Sequence, residues 1–186
     1  MRDLIVTQNV TLDGVIDAAA GWFAPSGDEE ADGSDQIEAN REHFEAADAF
    51  LCGRTTFEEM RGYWPQQTDE ETGVSDYLNR VRKYVVSSTL ADPEWQNTTV
   101  LAGDPVEEVA ALKRADGRDI VVTGSLTLVP TLVAAGLVDE YRLFTYPVVL
   151  GRGQRLFEDQ TGLGRLELQQ TRPFANGVVL TRYRAV

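Results

Sequence analysis

Two glycine-containing segments combine hydroxyl side chains with the expected start of a helix, a combination that suits an anionic ligand. Thr123-Gly124-Ser125 follows the apolar run 120–122, and Gly53-Arg54-Thr55-Thr56 follows the run 49–52. A glycine lets a ligand approach the backbone closely, and a helix N-terminus offers free N–H groups and a positive dipole end. Arg54 adds a planar guanidinium that matches phosphate. The two segments predict contacts with one extended phosphorylated ligand at the carboxyl ends of adjacent strands.

A third polar segment, Ser87-Ser88, closes the strand predicted over residues 83–86. Hydroxyls at this position fit phosphate contact, although capping of a turn is an equally good explanation of them. The chain has neither a P-loop sequence nor a G-x-G-x-x-G segment that opens a helix. We therefore expect phosphate contacts to be distributed over three strand ends.

Residues 119–150 contain the elements that must hold the second of these segments. A short strand over 120–122 precedes a helix, and Gly136 stands where a helix C-cap belongs. A second strand is predicted over 141–150, interrupted by Pro147. The helix is indicated by apolar residues at helical spacing, namely Leu126, Leu128, Val129, Leu132 and Val133. Strand, helix and strand in so few residues predict a parallel, right-handed βαβ unit.

The length of the chain and the pattern of its other elements predict one α/β domain over residues 1–186. Ala175-Asn176-Gly177 indicates a hairpin between the alternating segments 166–174 and 178–183. The other predicted strands are 4–6, 49–52, 83–86 and 97–101, and the other helices begin near residues 34, 57, 74 and 105. We expect three αβα layers around a mostly parallel sheet with an antiparallel C-terminal hairpin.

Composition narrows the function further. A formal charge of −13 argues against nucleic-acid binding as the main activity, but a local positive site for a small anion remains possible. One cysteine, Cys52, and one histidine, His43, exclude an internal disulfide, a multi-cysteine metal site and a His-rich metal centre. We predict no metal site. No apolar run is long enough to span a membrane and no signal-peptide pattern is present, so we expect a cytoplasmic protein.

Taken in order, five segments resemble the dihydrofolate-reductase-like family, and most closely its riboflavin-biosynthesis reductase branch, the C-terminal half of bifunctional deaminase-reductases. They are Asp13-Gly14, Gly53-Arg54-Thr55-Thr56, Val85-Val86-Ser87-Ser88, Val122-Thr123-Gly124-Ser125 and the segment 146–153. The resemblance implies NADPH as cofactor. It would place Arg54 near the adenosine 2′-phosphate with Ser87 and Ser88 beside it. The pyrophosphate would lie against Thr55 or Thr56 on one side and Gly124, Ser125 and Leu126 on the other.

The substrate region is less clearly marked. We expect it between Asp13 at the end of the first strand, Trp22 and Pro147. Trp22 and Phe23 lie in a long loop, over residues 18–33, and either serve the ligand or cap the core. Dihydrofolate reductases bind the pterin with a carboxylate on the next helix, where this chain offers Asp35, Glu38 and Glu42. Glu38 is nearest to the expected place, although an exposed helix charge is the simpler interpretation of it.

These observations favour an NADPH-dependent reductase of a small pterin-like or ribosylaminopyrimidine-like substrate. The alternative is a nucleotide-binding or small-molecule-binding protein that has the same fold without catalysis, and a flavin-binding oxidoreductase is a third possibility. The apolar strand 141–150 exceeds what one subunit needs to cover, which predicts a homodimer.

Overall fold

An eight-stranded sheet runs through the computed structural model, which describes residues 1–17, 21–23, 32–67, 72–157 and 164–186. The strands are β1 (Leu4–Thr11), β2 (Ala47–Gly53), β3 (Arg82–Val86), β4 (Thr98–Leu101), β5 (Asp119–Val122), β6 (Glu140–Tyr146), β7 (Leu166–Pro173) and β8 (Val179–Ala185). The helices are α1 (Ser34–Ala46), α2 (Arg54–Tyr63), α3 (Val74–Arg80), α4 (Pro105–Arg114) and α5 (Leu128–Ala134).

The strand order is β4-β3-β2-β5-β1-β6-β8-β7. The first six strands in this order are parallel, whereas β8 pairs with β6 and β7 in antiparallel fashion. β5 therefore lies between β2 and β1, and the carboxyl ends of all six parallel strands meet at one edge of the sheet. The predicted α/β class, the parallel βαβ unit and the C-terminal hairpin are confirmed.

Helices cover both faces of the sheet, because side chains along each buried strand point alternately to opposite sides. Ala49 and Leu51 of β2 pack with α4 and α5, whereas Phe50 and Cys52 pack with α2 and α3. α1 covers β6 and β8 through Ala39. This is the three-layer arrangement that the pattern predicts. No helix among the residues described is long and apolar enough to cross a membrane.

Several boundaries differ from those expected: α2 begins at Arg54 rather than near residue 57, and β1 extends to Thr11. β6 ends at Tyr146, and Pro147 has no N–H with which to extend the ladder, so the predicted strand 141–150 is too long. α5 begins at Leu128, three residues after Ser125. Gly124 and Ser125 have φ angles of 61° and 63°, which belong to the left-handed region and cannot continue a right-handed helix.

A buried ionic network lies beneath α1. The carboxylate of Glu140 accepts hydrogen bonds from Nε of Arg142 (2.6 Å) and from Nε and a terminal nitrogen of Arg182 (2.8 and 3.1 Å). His43 of α1 is also buried, and its Nδ1 has no hydrogen-bond partner among the described residues. Burial and the nearby Arg142 and Arg182 lower the pKa of His43 to about 3. His43 is therefore neutral at physiological pH.

Cys52 of β2 is also buried. Burial raises the pKa of its thiol to about 12, which makes the thiol unreactive.

Candidate functional site

The two glycine-containing segments meet at the carboxyl edge of the sheet and hydrogen-bond to each other. The N–H of Gly53 donates to Oγ of Ser125 (2.5 Å), and the N–H of Ser125 donates to Oγ1 of Thr56 (2.9 Å). The N–H of Gly124 donates to Oε1 of Gln8 on β1 (3.1 Å). We call Gly53, Thr56, Gly124 and Ser125 the junction cluster. The predicted proximity of the two strand ends is therefore observed.

The glycines of the junction cluster are needed for this mutual contact. A Cβ on Gly53 would lie 2.6 Å from Oγ of Ser125, and one on Gly124 would lie 3.0 Å from the Thr56 side chain. We expected these glycines to let a ligand approach the backbone. In the structure the atoms that approach them belong to the opposite segment.

The first turn of α2 provides the open anion-binding groups of this region. Its N-cap residue, Gly53, supplies no side-chain hydrogen bond to the N–H groups of that turn. Arg54 and Thr55 are exposed. The guanidinium of Arg54 makes no hydrogen bond or ion pair with any residue that the structure describes. Free N–H groups, a helix dipole and an unpaired guanidinium fit the phosphates of a dinucleotide.

The second segment offers less to an anion than the sequence suggests. The N–H groups of Gly124 and Ser125 already have acceptors within the protein. Because α5 starts at Leu128, residues 124–126 also lie ahead of the helix rather than in its first turn. Thr123 is half-buried at the end of β5, and the Leu126 side chain is 42% exposed beside it.

Ser87 and Ser88 adjoin the junction cluster through the strand register, since Val86 pairs with Gly53. Oγ of Ser87 accepts hydrogen bonds from the N–H groups of Thr89 (3.2 Å) and Leu90 (3.0 Å), so this hydroxyl stabilises the turn after β3. Ser88 is exposed and is the serine better able to meet a ligand.

On the other side of β1, three aromatic rings form an aromatic cluster of Trp22, Phe23 and Tyr146. The ring of Tyr146 lies edge-on to Trp22 (5.3 Å between centroids) and to Phe23 (5.8 Å). The indole N–H of Trp22 donates to the carbonyl oxygen of Asp17 (2.7 Å). Trp22 therefore does come together with the end of the strand that precedes Pro147, as the sequence predicts. Pro147 itself is exposed.

Gln36 of α1 reaches this cluster. Its Nε2 donates to the hydroxyl of Tyr146 (3.3 Å), and its Oε1 accepts from Nδ2 of Asn176 in the β7–β8 turn (2.7 Å). Glu38, by contrast, is exposed and lies 3.9 Å from Arg41, also exposed. Gln36 is therefore a residue of α1 that contacts the aromatic cluster, and the role of Glu38 stays a prediction. Sequence reasoning missed Gln36 and Tyr146, although an aromatic residue directly before Pro147 at a strand end was a usable signal.

The carboxylate of Asp13 is fully engaged within the protein. It accepts hydrogen bonds from Oγ1 of Thr11 (2.7 Å) and from the N–H groups of Leu150 (3.2 Å) and Gly151 (2.8 Å). The Thr11 hydroxyl and the Gly151 N–H together lower the pKa of Asp13 to about 2. Asp13 therefore fastens the end of β1 to the loop after β6.

Two sequence comparisons find similar proteins over nearly the whole chain. A family model described as the RibD C-terminal domain matches residues 2–180. The uncharacterized protein YyaP of Bacillus subtilis (strain 168) is 34% identical over 188 residues, which cover 98% of this chain and 94% of YyaP.

Two solved structures share the fold at low sequence identity. A deaminase/5-amino-6-(5-phosphoribosylamino)uracil reductase from Thermotoga maritima aligns with a TM-score of 0.67 and 16% identity, over 100% of this chain and 57% of that one. Dihydrofolate reductase from Enterococcus faecalis, complexed with NADP(H), aligns with a TM-score of 0.64 and 18% identity, over 98% and 96% of the two chains.

Proposed function

The chain belongs to the RibD C-terminal domain family, and on that premise we propose that it is a reductase that transfers a hydride from NADPH to a small heterocyclic substrate. The observation that carries the NADPH proposal is the guanidinium of Arg54, which has no partner among the described residues, in the first turn of α2, which has no side-chain N-cap. When bound, NADPH supplies the hydride. The chain's own residues bind it, orient it and exclude water.

Arg54 would bind the 2′-phosphate that distinguishes NADPH from NADH. A guanidinium forms paired hydrogen bonds with phosphate oxygens, and Thr55 and the first N–H groups of α2 would hold the pyrophosphate. Gly53, Thr56, Gly124 and Ser125 would act mainly by fixing the position of this turn, since they hydrogen-bond to one another. Thr123, Leu126, Ser87 and Ser88 would line the cofactor more peripherally.

The aromatic cluster and Gln36 support a flat heterocyclic substrate. Aromatic rings offer a planar apolar surface, and a side-chain amide can pair with the donors and acceptors along the edge of a pterin or pyrimidine. We place the substrate beside Trp22, Tyr146 and Pro147. Because Gln36 is neutral, its pairing favours an uncharged edge, and we propose a pterin-like or ribosylaminopyrimidine-like compound.

Tyr146 is our candidate proton donor. Burial raises its pKa, so the hydroxyl is protonated at neutral pH. Its oxygen accepts from Gln36, which leaves its own hydrogen available to the substrate. In the proposed reaction the hydride adds to the carbon of a C=N or C=O group, and the proton goes to the nitrogen or oxygen. Glu38, being exposed, would have no part in this step.

The alternative is a protein that binds the nucleotide or another small molecule without turnover. The engagement of Asp13 favours it, because this carboxylate cannot serve as an acid while it accepts three hydrogen bonds. Oxidation of NADPH in the presence of a panel of pterins and ribosylated pyrimidines separates the two proposals. Binding of NADPH without turnover of any member favours the alternative.

The experiment that tests the cofactor is calorimetric titration of NADPH and NADH into the wild type and Arg54→Gln. Loss of a charge-assisted contact should weaken NADPH by about 10- to 100-fold and leave NADH nearly unchanged. Arg114→Gln is the matched control, because Arg114 is an exposed arginine at the end of α4. Equal losses for both cofactors would contradict the assignment of Arg54.

A homodimer and a cytoplasmic location remain predictions from the sequence. β6 lies inside the sheet between β1 and β8, so its length no longer argues for a dimer. The apolar surface open to a second copy is instead on the edge strand β7, where Leu166 and Leu168 are 38% and 54% exposed. A single monomeric species in sedimentation at micromolar concentration would contradict the dimer.

A further inference from the structure

A cavity of about 660 Å³ opens at the edge of the sheet opposite the candidate site. It lies at the amino-terminal ends of β2 and β3 and just before β5, where Asp48, Arg82 and Arg118 line it. The C-terminal ends of α1 and α3 contribute Phe44 and Arg80. The volume is in the range of small-molecule sites.

The charge of this cavity is opposite to that of the whole chain. Its lining includes Arg80, Arg82 and Arg118, in a protein whose formal net charge is −13. Neither Arg80 nor Arg82 forms an ion pair with a carboxylate among the residues described, and Arg118 donates only to the carbonyl oxygen of Ala47 (3.3 Å). Asp48 does not neutralise them, because it is paired with Arg2. Glu45 is the remaining acidic residue of the lining.

Tyr77 gives the cavity a second, independent feature. Its side chain lines the cavity, yet the residue is only 4% exposed and its buried hydroxyl has no hydrogen-bond partner in the described structure. A buried hydroxyl without a partner is costly, so such a group usually meets a ligand or water. Burial and the nearby Asp48 raise its pKa, so the hydroxyl remains a donor. Its ring stacks on Phe44 with 4.2 Å between centroids.

We propose that this cavity, lined by Arg80, Arg82, Arg118, Tyr77 and Phe44, is a second binding site, which takes an aromatic compound bearing a phosphate or carboxylate group. The three guanidinium groups and the Tyr77 hydroxyl are all donors, and together they match the oxygens of such an anion. Phe44, Val81 and the ring of Tyr77 supply an apolar wall for its planar part.

The proposed second site is physically separate from the candidate cofactor site. β2 begins with Ala47 at the cavity and ends with Gly53 in the junction cluster. Seven residues of extended strand span about 20 Å. A ligand in the cavity therefore cannot touch Arg54, and the inference does not depend on the reductase proposal.

The test is a calorimetric titration of phenyl phosphate, with and without NADPH, into the wild type and four variants. Replacing both cavity arginines, Arg80→Gln with Arg82→Gln, should weaken binding by at least about tenfold. Tyr77→Phe, which keeps the ring and removes the hydroxyl, should weaken it by about 3- to 10-fold. Arg165→Gln, an exposed arginine outside the cavity, and Arg54→Gln should leave it unchanged.

The affinities of these variants for phenyl phosphate, compared with the wild type, test the second site. Weakening by the double arginine variant and by Tyr77→Phe, with both controls unchanged, supports the second site. The proposal is overturned by an absence of binding at millimolar phenyl phosphate, or by affinities that are equal in the wild type and the cavity variants. Weakening by Arg54→Gln alone would mean that the probe occupies the cofactor site, and it also overturns the proposal.

Discussion

The junction cluster and the aromatic cluster lie on opposite sides of β1, and they are assembled in different ways. All four residues of the junction cluster come from the strand-glycine segments first noticed in the sequence, and its hydrogen bonds join two adjacent strand ends. The aromatic cluster and its hydrogen-bonding partners come from four distant places: Trp22, Gln36, Tyr146 and Asn176. A candidate site can thus combine a half defined by local motifs with a half defined only by tertiary contacts.

This difference suggests a division of work. The junction cluster hydrogen-bonds the first turn of α2 to the segment after β5, so under the proposed function its variants should change NADPH affinity and stability together. The aromatic cluster contacts neither Arg54 nor the junction cluster in the contacts described, so its variants should change turnover and leave cofactor affinity alone.

The largest expected effect is that of Tyr146→Phe, which tests whether turnover and NADPH affinity depend on different clusters. Tyr146→Phe should lower kcat by about 100-fold, the usual contribution of a positioned general acid, with NADPH affinity unchanged. Steady-state kinetics and calorimetric titration measure the two quantities. Tyr63→Phe is the matched control, since Tyr63 lies at the end of α2 with an exposed side chain. A parallel loss of NADPH affinity in Tyr146→Phe would break the division.

Next in size is the effect of Gly124→Ala. A left-handed φ together with a Cβ 3.0 Å from Thr56 should cost about 2 kcal/mol of unfolding free energy. Gly136→Ala is a close control, because Gly136 has a φ of 65° and no atom within 4 Å of the added Cβ. Urea unfolding should show a smaller loss for Gly136→Ala, of about 1 kcal/mol. Equal losses would mean that contact with Thr56 contributes nothing.

The stability of the protein should depend on pH through His43 of α1, the helix that also carries Gln36. The pKa of His43 is lowered to about 3 by burial, Arg142, Arg182 and Arg172, against the opposing effect of Glu140. As pH falls below about 6.5, His43 binds a proton in the unfolded chain but stays neutral in the folded chain. Folding stability therefore falls with pH.

The variant His43→Phe has no group that titrates here, so this part of the pH dependence of stability is absent from it. The wild type should therefore lose about 2 kcal/mol more than the variant between about pH 7.5 and about pH 5, as measured by urea unfolding. Identical pH dependence in the two proteins would show that His43 binds its proton equally well in both states.

The smallest expected effect is that of Ser125→Ala. Without its hydroxyl, the N–H of Gly53 loses its acceptor, which should cost about 1 kcal/mol of stability. NADPH affinity should fall less than in Arg54→Gln, because Ser125 acts through the turn and not on the phosphate. Ser88→Ala, at an exposed serine, is the control for stability. If Ser125→Ala weakens NADPH as much as Arg54→Gln does, direct contact with the cofactor is indicated.

Sequence patterns were sufficient for the fold because its signals are local. Alternating apolar residues, the Asn176-Gly177 turn and the two glycine junctions each specify an element within a few residues. The same signals predicted that the two strand ends near Arg54 would lie together, as they do. They misplaced the start of α5, because helical spacing of apolar residues continues back to Leu126, whereas Ser125 has a positive φ and its N–H donates to Thr56, a contact that the sequence pattern does not show.

The contacts around the aromatic cluster were harder to predict for a physical reason. Which residue of α1 faces β6 depends on how the helix is rotated against the sheet, and Asp35, Gln36 and Glu38 are too close in sequence to decide it. The arginine-lined cavity left no pattern in the sequence either. Arg80 ends α3, Arg82 begins β3 and Arg118 precedes β5, so the first two meet Arg118 only when the sheet forms.

The place of β1 in the sheet has a consequence for how the protein folds. β1 pairs only with β5 and β6. Leu4 can therefore pair only after Ile120 has been made, and Ile5 pairs in addition with Glu140. Contacts between residues so distant in sequence form slowly, and a chain emerging from the ribosome must hold an apolar first strand unpaired until most of it has been made. β2, β3 and β4, in contrast, pair with their neighbours in chain order. The strands β2 to β4 therefore have partners early in folding, whereas β1, which lies between the junction cluster and the aromatic cluster, gains its second partner only when β6 has been made.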